Sequence, residues 1–188
     1  GSASSSLAEG TIDMIIKKIH FVIDSTNRAK SFEKEIFNKY KNYPPKKSDV
    51  IVVLGGDGFM LQTLKKFRKF NKPFYGINSG TFGFLMNKLK TYDLKRNISR
   101  AKLISISPLE MKVLTRTSKI YSSIAINEVS LLRQTRQAAA LQIVNGKKIL
   151  IKKLICDGVL VSTPAGSTAY NLSVNGPILS LYSKKLAI

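Results

Sequence analysis

The sequence predicts an α/β domain with a parallel sheet, followed by a second, β-rich domain whose strands are antiparallel. Three observations predict it. Up to about residue 100, short apolar runs alternate with segments of helical spacing, which is the grammar of a parallel sheet with covered faces. Beyond that point strand-like runs follow one another with few helical stretches between them. Within this second half, Asn145-Gly146 stands between two such runs, a strong signal for a type I′ hairpin.

Along the first half, Ile19 to Ile23 (IHFVI) reads as a strand, and Asp24-Ser25-Thr26 supplies helix-capping side chains. Phe32, Ile36, Phe37 and Tyr40 then recur at near-helical spacing, until Pro44-Pro45 stops the helix. Val50 to Leu54 reads as a buried strand, Gly55-Gly56-Asp57-Gly58 as a turn, and Phe59 to Phe70 as a helix with Met60, Leu61, Leu64 and Phe67 inward. Pro73 to Ile77 is the next strand, and a second glycine-bearing loop, NSGTFGF, follows it. In the second half the strand-like runs are Leu103 to Val113, Ser122 to Leu132, Ala139 to Val144 and Lys147 to Ile155. The expected organisation is a tag-like, disordered lead over residues 1–12, an α/β domain over 13–100 and a β-rich domain over 101–188.

Composition narrows the function classes. At 188 residues the chain can bury a real core, and 44% hydrophobic with 22% charged residues is ordinary for a globular protein. No apolar run approaches the roughly 20 residues needed to span a bilayer, and GSASSSLAEG lacks the basic start and apolar centre of a signal peptide. A single cysteine, Cys156, allows no internal disulfide and suits a reducing cytoplasm. The formal net charge is +20, from 31 Lys and Arg against 11 Asp and Glu, so the field favours anionic partners. Nucleic-acid binding is the rival that this charge raises. A lysine-rich solvated surface is the plainer account, and no zinc-finger spacing or RNP motif accompanies the charge.

Four stretches carry chemistry. In Gly55-Gly56-Asp57-Gly58 the glycines suit a tight strand-to-helix turn, since glycine tolerates positive φ. They would equally let backbone N–H groups approach phosphate oxygens at a helix N-terminus, with Asp57 beside them as base or orienter for an attacking hydroxyl. The stretch is neither a Walker A loop nor G-x-G-x-x-G, because Leu61 stands where the last glycine would be. The loop Asn78 to Phe84 again follows a strand; turn punctuation and core packing of Phe82 and Phe84 explain it as well as an aromatic set against a base. Asn127-Glu128 interrupts the apolar run SIAINEVSLL, where a buried polar pair needs partners. Asp157 to Pro177 crowds Ser162, Thr163, Ser167, Thr168, Tyr170, Asn171 and Ser173 around Pro164 and Gly166, as in a turn leading into a hydroxyl-capped helix N-terminus. With His20 as the only histidine, Ser-His-Asp hydrolysis and a His-rich metal site are excluded, which leaves carboxylates for acid–base work.

Taken together and in this order, GGDG, NSGTFGF, INEV and DGVLVSTPAGSTAYNLSVNGPI resemble the NAD kinases. GGDG alone is shared with diacylglycerol and sphingosine kinases; NE and STPAGSTAYN make the resemblance specific. It implies phosphorylation of the 2′-hydroxyl of the adenosine ribose of NAD, with ATP or polyphosphate as donor and a divalent metal, such as Mg, held through the donor phosphates rather than by protein ligands. It implies Asp57 as the catalytic residue and Gly55, Gly56 and Gly58 against phosphate. Its implied NAD site comprises Asp57, Gly58, Phe84, Asn127, Glu128, Asp157, Ala165, Thr168, Ala169, Tyr170, Asn171, Leu172 and Ser173. Ile155 falls where many relatives have a basic residue. The resemblance further implies a homodimer or homotetramer in the cytoplasm, with no membrane and only nonspecific nucleic-acid contact. Relatives continue for several strands beyond the GPI segment, so the chain reads as C-terminally short. The alternatives are a GGDG-type lipid kinase and a basic nucleic-acid-binding protein.

Overall fold

The computed structural model describes residues 15–80, 83–88 and 93–188. The lead expected over residues 1–12, and Thr81 and Phe82 of the second loop, lie outside the described residues. The chain forms two compact units, one ending at Leu103 and the other spanning Ile104–Ile188.

In the first unit, β1 (Ile19–Ile23), β2 (Val50–Gly55) and β3 (Phe74–Asn78) form a parallel sheet in the order β1-β2-β3. The central β2 is buried at all six positions, as an apolar run covered on both faces should be. Val50, Val52 and Leu54 face one cluster with Ile19, Phe21, Ile36, Leu94 and Ile98, whereas Ile51 and Val53 face another with Met60. Burial of each such side chain is worth about 1.5–3 kcal/mol, so β2 anchors the unit. Helix α1 (Asn27–Lys39) packs on the first face; its N-cap Thr26 accepts the amide of Ala29 through Oγ1 at 3.4 Å. Helix α2 (Asp57–Phe67) packs on the second. It begins two residues before the expected Phe59, and Arg68–Phe70 continue it only as a 3₁₀ turn. The buried stripe runs through Met60 and Thr63 rather than Leu61, which lies a third of a turn off it; Thr63 Oγ1 donates to the carbonyl of Phe59 at 2.8 Å. The short helix α3 (Leu94–Ser99) escapes sequence reading because its apolar signal is only Leu94 and Ile98.

The second unit holds β4 (Leu109–Leu114) paired with β5 (Ile120–Ala125), β6 (Glu128–Leu132) with β9 (Gly158–Ser162), and β7 (Ala139–Asn145) with β8 (Lys148–Cys156), all antiparallel. Two expectations change here. The run Ser122 to Leu132 is two strands, because the chain leaves its pairing with β4 and takes up β9 as its new partner. The hairpin loop is Gly146–Lys147 rather than Asn145–Gly146, since Asn145 pairs with Lys148; φ is positive at Gly146 (58°) but not at Lys147, which suits a type II′ turn. The strand expected from Leu103 starts only at Leu109, after Pro108, which has no N–H to give. Among its described residues this unit buries just two hydrophobic side chains, Ala165 and Ala187, while Leu114, Ile120, Tyr121 and Ile149 are exposed.

Candidate functional site

The buried strand β2 delivers the first set of residues to its carboxyl end, where ligands of open α/β sheets bind. Gly55 closes the strand and has a packing reason to be glycine: a Cβ there would stand 2.7 Å from Cδ1 of Phe59. Gly56 and Gly58 have none. A Cβ at either would meet no atom within 4 Å, Gly56 has an ordinary extended φ of −106°, and the positive-φ glycine among the described residues is Gly146 alone. The expected positive-φ turn is therefore not what requires these two glycines. They leave open space over the first turn of α2, whose leading N–H groups have no partner within the helix and form its positive end.

Asp57 is the first residue of α2, and its side chain reaches the second loop. Its Oδ2 accepts the amide of Phe84 at 2.8 Å, and its Oδ1 accepts that of Leu85 at 3.1 Å. Phe84 itself is exposed by 62%, so its ring is not core. Within the first unit, then, the structure brings Gly55, Gly56, Asp57, Gly58 and Phe84 together.

In the second unit Asn127 lies between β5 and β6, and Glu128 opens β6 opposite Ser162. Thr163 holds this junction by main-chain groups: its Oγ1 donates to the carbonyl of Ile126 at 2.7 Å and its amide to the carbonyl of Asn127 at 2.8 Å. Thr163 Oγ1 also accepts the amide of Gly166 at 3.0 Å, which tightens the turn. The result is a half-buried polar pair with one oxygen of each side chain left unmet. Asn127 Oδ1 and Glu128 Oε2 are buried and have no hydrogen-bond partner among the described residues. Such atoms cost free energy unless a ligand supplies donors.

Burial also raises the Glu128 carboxyl above its ordinary value, because the charged form loses hydration. The folded chain thus holds that proton more tightly than the unfolded chain. This stabilises the fold at pH below the ordinary carboxylate value and is lost as the pH rises through the raised one. Glu128→Gln should accordingly unfold at a higher temperature than the parent near neutral pH, with the difference vanishing in acid. Thermal unfolding across pH checks it; an unchanged difference in acid would remove Glu128 from the account.

The remaining residues sort by their contacts. Ala165 is buried, Thr168 and Ala169 are half-buried, and Tyr170 is exposed at the start of the one-turn helix α4 (Tyr170–Ser173). The expected hydroxyl-capped helix is corrected: α4 has four residues, Ala169 at its N-cap and no side-chain cap. The hydroxyls close the loop instead, with Ser167 Oγ donating to Pro164 O at 2.8 Å and Ser173 Oγ to Tyr170 O at 2.7 Å. Asn171 is buried, and its Nδ2 donates to the carbonyls of Ser167 (3.1 Å) and Pro177 (2.9 Å), which pins the loop; Leu172 is exposed. Asp157 is not beside Glu128. It precedes β9 just beyond the Leu132 end of the β6–β9 ladder, five residues along and about 16 Å away at roughly 3.3 Å per residue. Arg133 Nε meets Asp157 Oδ1 at 2.6 Å, a partner that no sequence motif announces. A recess of about 60 Å³ lined by Ser107, Thr163, Pro164 and Ala165 among others has room for water rather than a nucleotide. Among the described residues no group of three or more His, Cys, Asp or Glu side chains could hold a metal.

Comparison with known proteins follows the same division. Residues 11–100 match the family model of the ATP-NAD kinase N-terminal domain, and residues 126–186 that of the ATP-NAD kinase C-terminal domain. The curated NAD kinase of Brucella suis biovar 1 is 45% identical over 170 residues, covering 90% of this chain and 66% of the relative. That of Zymomonas mobilis subsp. mobilis is 46% identical over 179 residues, covering 93% and 69%. The chain thus spans about two thirds of the length of these relatives. Among solved structures, yeast NADH kinase complexed with NADH superposes with a TM-score of 0.69 at 22% identity, covering 92% of this chain and 65% of that one. An NAD kinase from Archaeoglobus fulgidus in complex with ATP gives 0.62 at 22% identity, covering 92% and 71%. These two likenesses are of fold.

Proposed function

This chain belongs to the NAD kinase family, and on that premise we propose that it transfers the γ-phosphoryl group of ATP to the 2′-hydroxyl of the adenosine ribose of NAD. The observation that carries the reading is a pair of unmet needs at the family's motifs. Gly56 and Gly58 open the α2 N-terminus with no packing reason, and Asn127 Oδ1 and Glu128 Oε2 are buried without partners. Phosphate oxygens answer the first need and the donor groups of a nucleoside answer the second.

In the reaction the 2′-oxygen bonds to the γ-phosphorus as the bond between that phosphorus and the β,γ-bridging oxygen breaks. The electron pair leaves with ADP, and the hydroxyl proton passes to the Asp57 carboxylate. The N–H groups at the start of α2 face phosphate charge, and Asn127 and Glu128 accept from adenine or ribose donors. The described residues offer no carboxylate cage for the divalent ion that the family resemblance implies; that ion would enter on the donor's phosphates and neutralise their charge. The field of +20 favours the encounter of two polyanionic substrates. Homo-oligomeric assembly and a cytoplasmic setting belong to the same proposal. The lipid-kinase and nucleic-acid alternatives find no support, since the matches lie on ATP-NAD kinase domains.

Calorimetric titration of the chain with NAD, followed by assay for NADP with ATP present, tests this reading, and a chain that neither binds NAD nor forms NADP overturns it. A sharper check is Gly58→Ala. The new methyl meets nothing within 4 Å, so folding is unharmed, and alanine favours the helix by up to about 1 kcal/mol. Nucleotide affinity should nonetheless fall by roughly tenfold or more, the equivalent of about 1.4 kcal/mol. Unchanged affinity would mean that this space faces no ligand.

A further inference from the structure

Both oxygens of Asp57 are held by consecutive main-chain amides from a distant part of the chain, those of Phe84 and Leu85. The segment that presents these amides is itself fixed to the sheet at its far end. Asn87 donates its own amide (2.9 Å) and its Nδ2 (3.0 Å) to the same carbonyl, that of Gly76 in β3, and its carbonyl accepts the amide of Asn78 at 2.8 Å. Between these anchor points Leu85 and Met86 pack on the cluster of Ile51, Val53 and Met60. Gly76 lets them lie that close: a Cβ there would stand 2.6 Å from Met86 Sδ and 3.0 Å from the carbonyl oxygen of Leu85.

We propose that Gly83–Asn87 is the positioning element of the candidate base, with the Phe84 and Leu85 amides orienting the Asp57 carboxylate and Asn87 as the positioning residue that fixes those amides to β3. The inference rests on the reading of Asp57 as the base. A two-amide clamp restricts rotation of a carboxylate that would otherwise turn freely at the helix end, and each oxygen keeps a lone pair for the incoming proton. The clamp also joins recognition to chemistry in one residue. Phe84 offers its exposed ring to solvent and its amide to Asp57, so an acceptor that settles against the ring acts on the carboxylate through a single backbone unit.

The test reads the amides of the whole chain by NMR and does not need turnover. The Phe84 and Leu85 amides should be protected from hydrogen exchange in the parent, and in Asp57→Ala both should exchange roughly tenfold faster or more, while those of Ile51 to Leu54 stay unchanged. Asn87→Ala should accelerate exchange at both amides less than Asp57→Ala does and, where NADP formation is measurable, lower kcat more than it raises KM. Unprotected amides in the parent, or unchanged exchange in Asp57→Ala, would overturn the clamp. Loss of NAD binding with the clamp signature intact would instead overturn the kinase reading, so the two failures are distinguishable.

Discussion

Asp57→Asn abolishes measurable NADP formation, a loss expected at about 10²- to 10⁴-fold from the removal of a positioned base. The fold tolerates it, because Asp57 is a half-buried helix-start residue outside both apolar clusters. Asparagine still offers one acceptor oxygen to the second loop, but its NH₂ replaces the other oxygen and meets an amide donor with a donor. The substitution therefore removes the charge and one of the two hydrogen bonds at once, and Asp57→Ala should be no less active than Asp57→Asn. NADP formation by each variant, read beside its thermal unfolding, checks both statements. Activity in either variant within a fewfold of the parent would remove Asp57 from the mechanism.

The second large effect lies in the other unit. Gly166→Ala would place a methyl carbon 2.2 Å from the carbonyl oxygen of Asn127 and 2.6 Å from its Cα. These are backbone atoms that Thr163 holds in place, so neither side can yield cheaply. A well-packed site forced apart in this way loses about 1–3 kcal/mol. The expected result is an unfolding midpoint lowered by several degrees, about 4–8 °C per kcal/mol for a unit of this size, together with loss of NAD binding as Asn127 and Glu128 shift. A stable variant that binds NAD normally would show that the turn and the polar pair are not mechanically joined.

How much of this was legible in the sequence differs between the two units. The parallel sheet was, because Val50 to Leu54 and its neighbours are apolar on both faces and need no long-range information to read. Helix α3 was not, since six residues with two apolar positions give no period. In the second half the strand class was legible and the pairing was not. SIAINEVSLL reads as one continuous apolar strand; the break at Asn127 becomes visible only once Thr163, 36 positions later, bonds to the carbonyls on either side of it. The motifs named Asp57, Asn127 and Glu128 but not what holds them. Motif spacing reports side chains, whereas the clamp on Asp57 and the grip on Asn127 are made by peptide groups that every sequence carries.

That last distinction has a consequence for change. Thr163 grips only main-chain carbonyls at residues 126 and 127, so the junction closes in the same way whichever side chains stand at 127 and 128. Neither buried oxygen of this pair takes part in the folding network of the described residues. The hydrogen bonds that close the junction thus do not depend on the ligand proposed for the pair. On the proposed reading, acceptor preference can drift at these two positions while the junction still closes, which makes Asn127 and Glu128 the place where a different nucleotide specificity could be written into the same fold.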